Sequence, residues 1–281
     1  MPTDAFLMVL GAAMVHAIWN ALIKTDADRL SLIKVMSLAQ LVVSICLVPF
    51  VAMPAAECWP YLAASVIFNT AYMLSLNRAY EAGDLSLVYP LARGFAPILV
   101  AIVSIELLGE QLTRVSQLAI VLIGLGITSL ALARNTAGAR DMRAVLFALT
   151  TGFFIAGYTM ADGLGARSAG TAHGYMIWLS LLTALTIVGC VTMLQKDNGS
   201  TVSRRSRLAG IAAGLMSYAS SWVVIWALTV APMAMVSALR ETSIAFAVVI
   251  GILFLREPVN LKRMASIATT LTGAAILKLS R

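Results

Sequence analysis

The sequence predicts an all-α polytopic membrane protein in which ten transmembrane helices form two inverted five-helix repeats. Sixty per cent of its 281 residues are hydrophobic and 12% are charged, whereas about a quarter of the residues in a soluble domain are charged. The spacing Arg-x16-Glu-x15-Gly occurs twice, with the two copies 147 residues apart. Because each copy holds an odd number of spans, the second copy enters the membrane from the opposite side.

Ten apolar segments are each long enough to cross a hydrocarbon core of about 30 Å. Each must be helical, because lipid cannot satisfy the hydrogen bonds of an open backbone. The connections are short, so neighbouring helices are expected to pack antiparallel. The segments are Ala5–Ile23, Leu32–Met53, Trp59–Tyr80, Leu85–Leu108, Val115–Ala133, Arg143–Ala161, Ala172–Leu194, Leu208–Leu228, Met233–Leu255 and Lys262–Leu279.

A polar stretch, NTAGAR at residues 135–140, divides the chain into two halves. We assign residues 1–134 to the first repeat, 135–142 to a connecting loop and 143–281 to the second repeat. Three pairs of residues correspond in the two copies: Arg93 with Arg240, Glu110 with Glu257, and Gly126 with Gly273. The two glutamates end their apolar spans, so we expect them to close the helix.

Positive charges are distributed unevenly between the two sides of the predicted bundle. Of the 20 Lys and Arg residues, fourteen lie in the connections after odd-numbered segments, four lie on the other side and two lie inside spans. Cytoplasmic loops are enriched in Lys and Arg. The distribution therefore predicts that both termini lie outside, in a protein of the bacterial inner (plasma) membrane. It also accounts for the basic pI of 9.6 without a nucleic-acid partner.

Polar and aromatic side chains on the first and third segments are candidates for a binding site. His16 and Asn20 are four residues apart and share a helix face, with Trp19 beside them. Asn69 and Tyr72 are neighbours on the third segment in the same way. A His within a span usually faces the bundle interior or water, but His and Asn also form hydrogen bonds between helices.

The sixth and eighth segments contribute further candidates. Tyr158 and Asp162 are four residues apart on the sixth segment, and Asp162 falls near the predicted membrane boundary, where a solvated helix cap is the alternative. Trp222 and Trp226 have the same spacing on the eighth segment. We take Tyr158 and Trp222 as binding residues, and His16, Asp162 and Glu241 as possible carriers of a coupled proton.

Arg93 and Arg240 are the strongest functional signals, because a charged residue at the centre of a span costs about 2.5–3.5 kcal/mol or more. Each has a nearby carboxylate in sequence, but Glu241 is adjacent to Arg240 and points about 100° away from it on a helix. Glu106 is too far along the same helix to reach Arg93. Their partners must therefore come from other helices, from water or from a substrate.

Two prolines, Pro90 and Pro97, flank Arg93 and predict a kink at that point of the fourth segment. Ser237 and Ile244 occupy the corresponding positions of the second copy, so no matching kink is expected there.

The chain lacks the HExxH, GxSxG and Walker A motifs, which argues against metalloproteases, serine hydrolases and ATP-driven pumps. Its three cysteines have no metal-ligand spacing, and we expect neither enzymatic activity nor a metal or cofactor. Two classes of function remain: a secondary transporter, and a scaffold or sensor subunit. We expect a monomer or a homodimer in the lipid bilayer, with a small-molecule solute as partner.

Several motifs together resemble those of the drug/metabolite transporter superfamily, of the ten-helix EamA type. They are HAIWN in the first segment, YPLARGFAP followed by LLGEQLT around the fourth, and ALRETS followed by LFLREPVN around the ninth. The resemblance implies a cavity enclosed by segments one, three, four, six, eight and nine. It also implies export or exchange of small, often amino-acid-like metabolites, and cytoplasmic termini, which is the reverse of the charge-based orientation.

We therefore predict a transporter that moves an anionic or zwitterionic metabolite by alternating access. Two arginines at depth favour such a solute, and a cationic or neutral solute is the alternative. The predicted binding residues are His16, Trp19, Asn20, Asn69, Tyr72, Arg93, Tyr158, Trp222 and Arg240.

Overall fold

The computed structural model describes residues 1–23, 29–83, 85–133, 142–194, 203–255 and 261–279. Two 3-10 turns, Val48–Phe50 and Ala56–Cys58, lie between the second and third helices. The α-helices are α1 (Thr3–Ile23), α2 (Arg29–Leu47), α3 (Trp59–Ala82), α4 (Leu85–Glu106), α5 (Arg114–Ala133), α6 (Met142–Ser168), α7 (Ala172–Leu194), α8 (Arg204–Val230), α9 (Met233–Glu241), α10 (Ser243–Leu255) and α11 (Leu261–Leu279).

The helices confirm the predicted all-α membrane fold. In the described ranges, eight stretches of helix are long and apolar enough to cross a membrane. The third and tenth predicted segments are α3 and α11, which contain more polar residues and pack along α6 and α5 respectively. The ninth predicted segment is split into α9 and α10, with Thr242 between them.

Helix α6 is longer than predicted, and this changes the position of Asp162. The sequence places the end of the span at Ala161, but α6 continues to Ser168. The reason is close packing on small residues: a side chain at Gly163 would collide with Met233, and one at Gly165 with Tyr175. Asp162 is therefore inside the helix and buried, and the alternative that it is a solvated helix cap is wrong.

The helix interruption lies in the second repeat rather than at the prolines. Helix α4 runs without a break from Leu85 to Glu106, with Pro90 and Pro97 inside it. In the second repeat the helix stops at Glu241, where the Thr242 hydroxyl donates a hydrogen bond of 2.6 Å to the Leu239 carbonyl. A side-chain hydroxyl that competes for a backbone carbonyl in this way weakens a regular helix.

The two repeats meet at α5 and α11 through reciprocal contacts. A Cβ atom on Gly126 of α5 would lie 2.6 Å from Thr270 Oγ1, and one on Gly273 of α11 would lie 2.8 Å from Ile123 Cγ1. Gly126 corresponds to Gly273 in the repeat, and Ile123 corresponds to Thr270. Gly126 therefore contacts Thr270, and its counterpart Gly273 contacts Ile123, the counterpart of Thr270. This is the arrangement that a two-fold axis between inverted repeats produces.

The helix ends form two faces of the bundle. At one face, which we call the termini face, Lys278 Nζ donates to Thr3 Oγ1 at 2.6 Å and the Ala55 N–H donates to the Ala169 carbonyl at 3.2 Å. Helices α1, α3, α5, α7 and α10 end at the opposite face, and the fourteen basic residues lie near these helix ends in sequence. We call this opposite face the basic face.

The α5–α11 contact predicts a sharp sensitivity at Gly126. Gly126→Ala should destabilise the protein by about 1–3 kcal/mol, because a methyl group there forces apart two backbones. The control is Gly189→Ala on α7, where nothing lies within 4 Å of the position that the new methyl group would take and the exchange should be neutral or stabilising. Thermal unfolding of the two purified variants in detergent measures the difference. Equal melting temperatures would contradict close packing at this contact.

Candidate substrate cavity

A cavity of about 360 Å³ lies between the two repeats, which is within the range of small-molecule sites. Side chains from α1, α2, α3, α4, α6, α7, α8 and α9 line it. Eight of the nine predicted binding residues are in this lining: His16, Trp19, Asn20, Asn69, Tyr72, Arg93, Tyr158 and Arg240.

The cavity is closed toward the termini face and opens toward the basic face. Lining residues near the termini face are buried, such as Met176 and Leu228 with exposed fractions of 3% and 1%. Lining residues closer to the basic face, such as Ile33 and Leu76, are only partly buried. A solute would therefore reach the site in this conformation from the basic face.

At the closed end of the cavity, an ionic cluster on the termini face joins the ends of α4, α6, α8 and α9. Glu110, just beyond α4, accepts hydrogen bonds from Arg167 Nη2 at 2.9 Å and from the backbone N–H of Met233 at 3.0 Å. Arg167 at the end of α6 also donates to the carbonyls of Leu228 and Ala231, at 2.8 and 2.9 Å. We call this the Glu110–Arg167 clamp; it links the first repeat to the second.

The clamp modifies the prediction for Glu110. Its backbone does close α4, since the Glu110 N–H donates to the Ser104 carbonyl at 2.9 Å after Gly109 takes a left-handed conformation with φ of 66°. The side chain, however, caps α9 in the other repeat. The counterpart, Glu257, lies outside the described residues.

Arg93 is almost fully buried and contacts both repeats. Its Nε lies 2.7 Å from Glu241 Oε2, and the two side chains are 4% and 2% exposed. The Nε–H bond is not aligned with that oxygen, so the contact is an ion pair by proximity rather than a linear hydrogen bond. Nη2 lies 3.2 Å from His16 Nε2 and 3.4 Å from Ser243 Oγ.

The Arg93–Glu241 pair shows why local sequence spacing could not identify the partner of Arg93. Glu241 is the last residue of α9, in the second repeat, and Arg93 is on α4 in the first. Since the charges of this pair offset one another, Arg93 adds no net positive charge to the cavity.

Arg240 differs from Arg93 because no carboxylate of the described residues forms an ion pair with it. It is half-buried in the cavity wall, and its guanidinium carbon lies 5.7 Å from the centre of the Tyr158 ring. The Tyr72 and Tyr158 rings meet edge to face at 6.0 Å. A cation over an aromatic face gains roughly 0.5–2 kcal/mol, which positions the guanidinium but leaves its N–H groups available to an anion.

Asp162 contributes a buried carboxyl group to the lining, with an exposed fraction of 6%. The Tyr175 hydroxyl donates to its Oδ1 at 3.4 Å, and the Ser65 hydroxyl forms a further hydrogen bond. No Lys or Arg of the described residues lies within ion-pair distance of Asp162.

The α1 residues are close together, but they do not all make contacts between helices. Asn20 Nδ2 donates to the carbonyl of His16 in its own helix at 2.8 Å. The rings of His16 and Trp19 meet edge to face at 4.8 Å. Trp19 Nε1 is buried and has no hydrogen-bond partner in the described part of the protein, so it is available as a donor to a solute.

Asn69 and Tyr72 occupy the α3 wall of the cavity. Asn69 Nδ2 donates to the Ser65 carbonyl at 3.2 Å, one turn earlier in the same helix. This hydrogen bond uses the amino group and leaves the amide oxygen of Asn69 free for another partner.

Trp222 is the predicted binding residue that the described cavity lining does not include. Its Nε1 donates to His173 Nδ1 at 2.7 Å on a partly exposed surface of α7 and α8. Tyr218, one turn earlier on α8, lines the cavity instead. The two residues share a helix face, but the cavity borders only the part of that face that includes Tyr218.

Two lining helices were missing from the sequence prediction. Helix α2 contributes Ser37 and Gln40, and α7 contributes Ser180 and Thr183. In each helix the two polar residues are three positions apart, so they share one face. This spacing could have indicated a polar helix face in each segment. It is a weak signal, because the residues are uncharged.

The Arg93–Glu241 pair predicts an unusual order of stability. Glu241→Gln should destabilise the protein by about 3–5 kcal/mol, because it leaves the Arg93 charge buried without compensation. Replacing both residues, Arg93→Met with Glu241→Met, should recover much of this loss. Thermal unfolding of the two variants and the wild type gives the order. A double variant less stable than Glu241→Gln would mean that the pair itself, rather than the orphaned charge, determines stability.

The fold and the cavity together define a polytopic membrane protein built from two repeats around a central polar site. The chain belongs to the EamA-like transporter family, whose model matches residues 4–132 and 142–279, one match for each repeat. This confirms the resemblance to the drug/metabolite transporter superfamily. Members of the family are transporters rather than enzymes, and the chain is an integral membrane protein.

A solved structure entitled "Crystal structure of protein" superposes on the chain with a TM-score of 0.79. It is 16% identical, and the match covers 99% of this chain and 98% of that chain. At this identity the likeness shows the fold alone. The search of curated proteins found no match.

Proposed function

We propose that the protein is a secondary transporter that moves a small anionic or zwitterionic metabolite across the bacterial inner membrane by alternating access. The observation that carries this proposal is Arg240: a cation in the cavity wall with no carboxylate partner among the described residues. Arg93, by contrast, is already paired with Glu241. The anionic group of the solute therefore binds Arg240, and Arg93 positions the surrounding helices.

A carboxylate is the anion that suits this site best. The guanidinium group offers two parallel N–H donors that match a carboxylate, and Tyr158 fixes its plane. The Trp19 indole and the Asn69 amide add neutral hydrogen-bonding groups nearby. The identity of the coupling ion stays a prediction, with His16, Asp162 and Glu241 as candidate proton carriers.

Transport in proteoliposomes tests the function, with a panel of radiolabelled amino acids and small carboxylic acids as solutes. Wild-type protein should carry at least one of them. Arg240→Ala should abolish this flux, and Arg240→Lys should weaken apparent affinity about ten- to a hundredfold, because the ammonium group cannot replace two charge-assisted hydrogen bonds.

Arg78→Ala is the matched control for the Arg240 variants. It removes a positive charge from a side chain that is 71% exposed and is not in the described cavity lining, and flux should not change. Flux of cationic or neutral solutes that is insensitive to Arg240→Ala would favour the alternative substrate class. No flux of any solute would favour a scaffold or sensor subunit.

Alternating access requires the closed end of the cavity to open, and the Glu110–Arg167 clamp resists this opening. Glu110→Gln weakens both the ion pair and the cap on α9, so the closed end should open more often. The probe is the thiol introduced by Leu228→Cys in a background with Cys46, Cys58 and Cys190 replaced by Ala. A membrane-impermeant maleimide added on the side of the termini face should label it several times faster in the Glu110→Gln variant.

The control for the clamp is Glu81→Gln, which neutralises an exposed carboxylate at the end of α3. It should leave the labelling rate unchanged. If Glu110→Gln also leaves the rate unchanged while lowering thermal stability, the clamp is a structural tie and not part of the moving gate. The side from which the reagent reaches the thiol also tests the charge-based orientation of the termini.

A further inference from the structure

We propose that Asp162 binds the ammonium group of the transported solute, so that the substrate is a zwitterion whose carboxylate lies on Arg240. This inference rests on the proposed function and deepens it, since an anion site alone leaves both simple acids and zwitterions as substrates.

Among the described residues, no Lys or Arg side chain forms an ion pair with Asp162, so an ammonium group of a solute could take that position. The carboxylate is 6% exposed and lines the cavity. A buried charge is costly unless it is paired, and the other buried carboxylate of the site, Glu241, has Arg93 at 2.7 Å. In the described part of the chain, the hydrogen-bond partners of Asp162 are the neutral hydroxyls of Tyr175 and Ser65, and Arg240 acts on it electrostatically from beyond ion-pair distance.

The position of Asp162 relative to Arg240 fits a compact zwitterion. Asp162 follows Tyr158 by four residues, a rise of about 6 Å along the helix, and the Arg240 guanidinium lies over the Tyr158 ring. The two opposite charges are therefore neighbours along one wall of the cavity. In an α-amino acid the ammonium and carboxylate groups are separated by a single carbon atom, so one molecule of that size can contact both charges.

The residues near Asp162 also suggest the rest of the solute. Met176, Leu179, Ile225 and Leu228 line the buried end of the cavity with it. An ion pair formed there is shielded from water and so is stronger than one at an exposed site. The apolar surface around it would accept an aliphatic or aromatic side chain.

A purely structural role for Asp162 makes a different prediction. If its function is to join α6 to α7 through the Tyr175 hydroxyl, a neutral amide can accept the same hydrogen bond. Asp162→Asn would then leave solute binding unchanged. If Asp162 binds an ammonium group, the loss of its negative charge matters even though size and hydrogen bonding are preserved.

The experiment measures binding by thermal stabilisation of the purified full chain. The twenty common amino acids are tested first, and the best binder is compared with its deaminated acid and its decarboxylated amine; for leucine these are 4-methylpentanoate and 3-methylbutylamine. We expect the wild type to bind the amino acid at least about tenfold more tightly than either derivative, because each derivative loses one charged contact.

The variants Asp162→Asn and Arg240→Ala then assign each contact. Asp162→Asn should lose at least about tenfold in affinity for the amino acid and should no longer distinguish it from the deaminated acid. Glu81→Gln, which neutralises an exposed carboxylate, should behave as the wild type. If Asp162→Asn does not fold, the comparison of the three compounds on the wild type still tests the inference.

The possible failures are distinguishable. If the deaminated acid binds the wild type as well as the amino acid does, the inference is wrong while the anion site on Arg240 stands. If Asp162→Asn binds normally but loses uptake driven by a pH gradient, Asp162 carries the coupled proton and the inference is also wrong. If the amine binds as well as the amino acid and Arg240→Ala has no effect, the proposed anion site fails. If none of the compounds binds the wild type, the proposal of a zwitterionic substrate is wrong.

Discussion

The ion pair between Arg93 and Glu241 is the interaction on which the centre of the protein depends. A guanidinium group keeps its charge at any relevant pH, so Arg93 cannot be accommodated within a membrane span by losing a proton. It needs a carboxylate, and the carboxylate comes from the other repeat. Satisfying this one electrostatic demand fixes α4 against the end of α9 and sets the net charge of the cavity.

The interruption at Thr242 lies directly beside this ion pair. Arg240 and Glu241 are adjacent, yet Arg240 lies in the cavity wall while Glu241 is almost fully buried against Arg93. Adjacent helical residues point about 100° apart, and the end of α9 presents the two opposite charges in different directions. Non-helical backbone is tolerated at membrane depth where protein surrounds it, and Thr242 is fully buried.

The sequence predicted the helices well because hydrocarbon imposes a simple rule on segment length and composition. Eight of the nine predicted binding residues line the cavity, since polar residues within spans rarely face lipid. It did not identify the contact from Arg93 to Glu241, which are 148 residues apart and meet only after the repeats pack. The end of the sixth segment was predicted too early because hydropathy falls beyond Ala161, whereas α6 continues through packing on Tyr175 and Met233. Trp222 lies outside the described cavity lining, and spacing alone does not say which face of α8 is turned inward.

The reciprocal contacts of α5 and α11 are those of an isologous interface, in which residue i contacts j and j contacts i. Two identical five-helix subunits joined in this way would carry the same residue at every related position. A single chain is free of that restriction, and it has Glu at position 241 where the first repeat has Gly94. Gly94 has no room for a side chain, since a methyl group there would collide with Thr128. Covalent linkage of the halves therefore permits one arginine to be neutralised and the other to remain a cation, an asymmetry that a homodimer could not encode.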